Sequence, residues 1–228
     1  MTTSPPAADQ QQAVRRRRPR GAVRDGLVAA GLELARAGGP DAVVLREATR
    51  AVGVVPNAAY RHFADRDELL AAVCAAAMGE LAGRMAAGVA GVRGRYGDAA
   101  AAGRRLRAIG TAYLEFARGE PGWFATAFAL PQQHAYPADP AGAAGQDAGG
   151  DDARPDRSPL GQLRAALDEL VAAGVLSAER RDGIEYPVWS AVHGLAVLAG
   201  QGPLREIPDA RRRDLDELTL SFIGAALA

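Results

Sequence analysis

Residues 45–63 read LREATRAVGVVPNAAYRHF, and their spacing decides the fold. Leu45, Ala48, Thr49 and Val52 stand at i, i+3, i+4 and i+7, one face of a short helix. Gly53 follows, where a left-handed closing residue is wanted. Pro56 stands where a new helix takes its first residue, because proline has no N–H to lose there. The second helix turns Ala59 and Phe63 inward. Asn57, Ala58, Arg61 and His62 fall mostly on the other side, with Tyr60 between them. Two helices joined by a short turn with Gly form a helix-turn-helix, whose second helix enters the DNA major groove.

Upstream, a helix is expected from Ala22 to Ala37. Leu27, Ala30, Leu34 and Ala37 form its inward stripe, and Gly38-Gly39 ends it. Downstream, Asp65 with Glu68 three residues on is a capping-box arrangement that opens a fourth helix. That helix runs past Leu69, Leu70, Val73 and Ala77 to about Val92. Further helices are expected over 98–118 and within PGWFATAFAL (121–130). Residues 131–159 are rich in Pro, Gly, Ala and Asp and read as a flexible loop. Helices resume over 160–173, 178–200 and 208–228. The last is apolar on nearly every side, so it should be covered on more than one face.

The run LREATRAVGVVPNAAYRHFADRDELLAAV resembles the TetR family of bacterial transcriptional regulators. The likeness includes the Gly53 turn, the YRHF ending and the DRDELL that follows. It covers about the first third of the chain. A second stretch, WSAVHG (189–194), resembles the Trp-His-Gly signature of one C-terminal domain type in that family. The resemblance implies that Tyr60, His62 and Arg46 meet phosphates, that Arg66 faces another, and that the last two helices of each chain pair as a four-helix bundle. Two positions depart from the pattern. The family usually has Ser or Thr before both motif helices, and this chain has Val44 and Val55. Each loses a cap of about 1 kcal/mol, and Val55 has no hydroxyl to offer a phosphate.

Composition is consistent with this reading. The chain has 228 residues, 48% hydrophobic, and a formal net charge of zero, with no lysine. Division along the chain is more informative. Residues 1–63 hold ten arginines against five acids, and the remainder holds 17 against 22, so a +5 head precedes a −5 body. One cysteine, Cys74, excludes an intramolecular disulfide and a cysteine-rich metal site and reads as a small buried residue. His62, His134 and His193 lie in separate regions without metal-ligand spacing. No apolar run reaches about 18 residues, and the N-terminus has no apolar segment of signal-peptide type. A soluble cytoplasmic protein is expected.

Candidate sites fall into three groups. Base edges are expected at Asn57 and Ala58, since Asn can bond adenine N6 and N7 and Ala can touch a thymine methyl. Arg61 shares their exposed side. Arg15 to Arg18 and Arg20 form an arm suited to the minor groove. For an effector, Tyr113, Phe116, Trp123, Phe124, Phe128, Trp189 and His193 supply the large aromatic groups that a small apolar ligand needs, although aromatics at helical spacing are more often core. For the dimer interface, Val188, Val192 and Leu195 stripe one terminal helix, and Leu218 and Phe222 the other.

The expectation is therefore an all-α protein of about nine helices. It has a basic arm over 1–20, a three-helix DNA-binding head over 21–66 and a ligand-binding, dimerising body over 67–228. Its function would be a homodimeric repressor, released from a palindromic operator by a small, largely apolar effector, with no cofactor and no membrane partner. An activator of the same family and a helical ligand-binding scaffold without operator binding are the alternatives. An enzyme would lack any acid–base or metal constellation and leave 45–63 unexplained.

Overall fold

The structure, a computed structural model, describes residues 21–130 and 156–228. The arginine arm, including Arg17, Arg18 and Arg20, lies outside the described residues, as does 131–155 of the expected loop. Among the described residues every regular element is helical. The helices are α1 (Ala22–Gly38), α2 (Leu45–Val52), α3 (Pro56–Ala59), α4 (Arg66–Ala90), α5 (Ala99–Gly119), α6 (Pro121–Ala127), α7 (Pro159–Ala172), α8 (Glu185–Gly200) and α9 (Asp209–Leu227). Short 3-10 turns lie at Pro40–Ala42 and Ala178–Arg180.

Side-chain caps set three of the helix starts among the described residues. The Asp65 carboxylate accepts the Glu68 N–H at 2.9 Å, and Glu68 reaches back to accept the Ala64 N–H at 2.6 Å. Asp98 caps α5 through the Ala101 N–H, and Ser158 caps α7 through the Gly161 N–H. Pro159 is already helical, so the loop expected to run through 159 ends before it. The helix expected from residue 178 begins only at Glu185. Gly183 stands at φ 69°, a left-handed turn that a continuous helix does not admit.

The head packs α1, α2 and α3 on the first turns of α4. Leu27, Ala35, Leu45, Ala48, Ala59 and Phe63 are buried with Leu69, Leu70 and Val73. The α1 stripe is rotated from the expected one. Leu27, Gly31 and Ala35 face inward, Ala30 and Leu34 are partly buried, and Ala37 is exposed. Gly31 is the reason, because a Cβ there would stand 2.5 Å from Val73 Cγ2. Around the remainder of α4 the body packs α5, α6 and α7, with α8 and α9 against α5. Although no unbroken apolar run was evident, α4 is long and apolar enough to cross a membrane by composition, with mean hydropathy 1.4 over its best 18-residue window. Here it is the helix on which α1, α5, α6 and α7 pack. Cys74 on α4 is fully buried, and burial pushes its thiol pKa up.

Candidate nucleic-acid interface and effector cavity

The head presents the motif as a bent pair of helices. Gly53 adopts φ 70° and ψ 36°, and the Val54 N–H returns to the Thr49 carbonyl at 3.1 Å. Val44 stands at the start of α2 with no side-chain cap. The regular part of α3 is a single turn, shorter than the expected run to Phe63. The chain then leaves through Phe63 N–H to the Ala59 carbonyl at 2.9 Å, which still turns Phe63 into the core. Ala59 and Phe63 thus pin the turn from beneath, and the Arg24 guanidinium covers the Phe63 ring at 5.2 Å.

Opposite that buried edge, Arg46, Asn57 and Arg61 are exposed, as are Val55 (69%) and Tyr60 (54%). Ala58 and His62 are half-buried. This surface holds two guanidiniums, an amide and a phenol together with apolar groups, which suits a phosphate-lined groove. Arg66 does something the sequence did not suggest. Its Nε donates to the Val43 carbonyl at 2.9 Å and one terminal nitrogen to the Pro40 carbonyl at 2.8 Å. It therefore braces the 3-10 turn before α2 with a planar fork that lysine cannot copy. Arg66→Gln, which removes both the fork and the charge, is expected to lower the melting temperature while leaving the salt slope of DNA binding unchanged. A slope change of about one phosphate would instead make Arg66 chiefly a DNA ligand.

The body contains a cavity of about 390 Å³ between α5, α7, α8 and α9, walled by groups such as Leu106, Ile109, Leu163, Val188, Val192 and Ile223. Tyr113 and Trp189 line it. Phe124, Phe128 and His193 do not. They form an adjoining aromatic cluster, with Phe128 and His193 centroids 4.7 Å apart and Tyr113 Oη 2.7 Å from His193 Nδ1. Burial pushes the His193 pKa down, and with the proton on Nε2 the neutral ring accepts the phenol at Nδ1.

Phe116 and Trp123 are placed elsewhere, at the contact between head and body. Trp123 Nε1 donates to the Leu32 carbonyl at 2.7 Å, and the Phe116 and Trp123 rings stack. Val188 and Val192, expected on the dimer face, line the cavity because α8 turns its β-branched stripe toward α5. Leu195 is half-buried, whereas Leu218 and Phe222 are 58% and 69% exposed.

A cluster that sequence reasoning missed lies beside Trp123. Glu120, at the α5–α6 junction, is 7% exposed and takes both nitrogens of the Arg36 fork at 2.8 and 2.5 Å, with Arg84 at 3.1 Å. Arg36 belongs to α1 and Arg84 to α4, so one carboxylate ties three elements. The Arg36 hydrogen bond holds the Glu120 pKa below the usual carboxylate range against the opposing effect of burial. Arg36 also lies over the Trp123 ring at 4.8 Å. Its only sequence signal was the Glu-Pro-Gly break at 120–122.

A three-helix head with an exposed helix-turn-helix, carried on a helical body, defines a DNA-binding protein of the helix-turn-helix class. Residues 27–73 match the description "Bacterial regulatory proteins, tetR family", and residues 106–221 match "Tetracyclin repressor-like, C-terminal domain". The chain belongs to the TetR family of DNA-binding transcriptional regulators, which are not enzymes. The same overall fold occurs in a protein of unknown function from Rhodococcus sp. RHA1, at TM-score 0.68 and 23% identity, covering 93% of this chain and 99% of that one. It occurs also in a protein from Shewanella sp. PV-4 assigned to the TetR family of transcription regulators (0.57, 16%, 90% and 98%). PfmR, a TetR family transcriptional regulator from Thermus thermophilus, is a further case (0.52, 17%, 88% and 96%). No curated protein sequence matches the chain.

Proposed function

We propose that this regulator is a cytoplasmic homodimeric repressor that leaves a near-palindromic operator when a small, largely apolar effector fills the body cavity. The observation that carries the reading is the cavity itself. It is apolar, within the size range of small-molecule sites, and walled by α5, which also joins the Glu120 contact to the head. In this reading residues 21–66 form the head, 67–228 the body, and the arm with Arg17, Arg18 and Arg20 tracks the minor groove. Asn57 and Ala58 meet bases, while Arg46, Tyr60, Arg61 and His62 meet backbone. The Trp-His-Gly subtype is part of the proposal, supported by the 6.5 Å stacking of Trp189 on His193.

Dimerisation is supported by the outer faces of α8 and α9. Leu218, Phe222, Val197 and Leu198 are exposed there, and Gly194 leaves open space where a Cβ would stand. Small and large apolar residues on two adjacent helices are what a helix-pair interface uses.

The test is a fluorescence-anisotropy titration against duplex DNA from upstream of the protein's own gene, with random competitor, at two salt concentrations. Competitor-resistant binding that weakens steeply as salt rises is expected, because each neutralised phosphate releases counterion. Absence of duplex binding at low salt on that DNA and on genome-wide fragments would favour a ligand-binding scaffold, with uncapped Val44 and exposed Val55 the first residues to revert to threonine.

A further inference from the structure

We infer that the effector is an apolar monocarboxylate, held by its carboxylate at Arg107 and Ser221 with its tail in the cavity. This rests on the cavity being the effector site. Of the described residues that line the cavity, Arg107 alone is charged, and the walls are otherwise apolar or aromatic, with hydroxyls at Ser221 and at Tyr113, whose phenol is engaged by His193. A neutral apolar ligand would need no cation there. A cationic ligand would meet repulsion without a carboxylate in the wall to offset it.

The receptor for a carboxylate is already assembled, and one occupies it. Glu217 accepts an N–H of Arg107 and, at 3.5 Å, the hydroxyl of Ser221. Glu217 is not part of the cavity wall, and its side chain is 66% exposed while that of Arg107 is 39% exposed. An ion pair so open to water contributes little. A ligand carboxylate can therefore take its place at the guanidinium while Glu217 swings into solvent. The exchange keeps the charge count at Arg107 unchanged and adds the burial of an apolar tail, which the Glu217 side chain cannot supply. Arg107 also borders an open groove that holds Arg84, Arg104 and Thr111, so the approach to this lip is positive on balance, with Glu115 the one acid there.

The experiment uses the full chain and three probes of equal chain length, octanoate, 1-octanol and octylamine, titrated by calorimetry and by fluorescence of the cavity-lining Trp189. Octanoate should bind about tenfold tighter than octanol, and octylamine weakest. Arg107→Gln should bring octanoate to the level of octanol. Glu217→Gln, which removes the internal competitor on an exposed side chain, should tighten octanoate and leave octanol unchanged. Gly224→Leu, which projects into open cavity space, should abolish binding of octanoate and octanol alike. Equal binding of octanoate and octanol to the unaltered protein, or a preference that survives Arg107→Gln, overturns the head-group assignment while leaving the cavity as a site. Failure of all three probes, or binding unaffected by Gly224→Leu, overturns both.

Discussion

Gly122→Val is expected to produce a large loss of stability at the contact between head and body, although it removes no group. A Cβ on Gly122 would stand 2.3 Å from the Ala35 carbonyl oxygen and 2.5 Å from that of Arg36. Both are backbone atoms in the last turn of α1, so no side-chain rotation relieves the overlap. Either α1 or α6 must move, and both are fixed nearby by the Trp123 to Leu32 bond and the Arg36 fork on Glu120. Overpacking of this kind costs about 1–3 kcal/mol. For a chain of this size that is a fall of roughly 3–10 °C in melting temperature. Operator affinity measured well below the melting temperature should fall as well, because the displaced helix is the first of the head. A variant with unchanged melting temperature and affinity would show the contact to be slack. Glu120→Gln provides the electrostatic counterpart. The Glu120 pKa is lower folded than unfolded, so its pairing stabilises the protein above the unfolded value of about 4.3 and is lost as pH falls through the folded value. The Gln variant should be less stable near neutrality. Its melting temperature should decline less than that of the unaltered protein as pH drops below about 4.

Phe222→Glu should have the largest functional effect. Phe222 is 69% exposed in the chain, so the substitution costs the fold little, typically within about 0.5 kcal/mol. A self-complementary face uses the same patch twice, so the substitution places two carboxylates in one apolar interface, where each would lose its water without a partner. Sedimentation equilibrium should give the 23.6 kDa monomer. Operator binding should weaken by about 100-fold or more, because the second half-site is then no longer supplied at high effective concentration. Retention of a dimer would move the interface off α9 and retire the bundle proposed for α8 and α9.

The head was legible because its signals are local. A left-handed Gly53, a helix-starting Pro56 and an Asp65–Glu68 box each act within a few residues, and each occupies its expected place. The shortness of α3 was not legible, since Tyr60 to Phe63 keep helical spacing while the chain leaves the helix. In the body the aromatic residues were read as one pocket, and they divide into three groups. Tyr113 and Trp189 line the cavity, Phe124, Phe128 and His193 adjoin it, and Phe116 and Trp123 join the head. Periodicity places a residue on a face but does not say which neighbour covers that face. The same gap hid the inward turn of Val188 and Val192. The bracing bonds of Arg66 and the cluster around Glu120 were missed for another reason. Their partners lie 23 and 84 residues away, and a carbonyl acceptor leaves no mark in a sequence.

Helix α4 has 25 residues, the first turns buried in the head and the rest in the body. It has the mechanics of a keyed shaft, with no joint between the two parts. One added residue in its middle would rotate everything beyond it by about 100° and advance it by about 1.5 Å. The head would then face a different direction, and the α1–α6 contact, with the Trp123 bond and the Glu120 fork, would be broken. Seven added residues would nearly restore the facing, about 20° off, and carry the head roughly 10 Å outward. Anyone grafting this head onto another body must therefore match helical phase, and counting residues from a domain boundary will not do it.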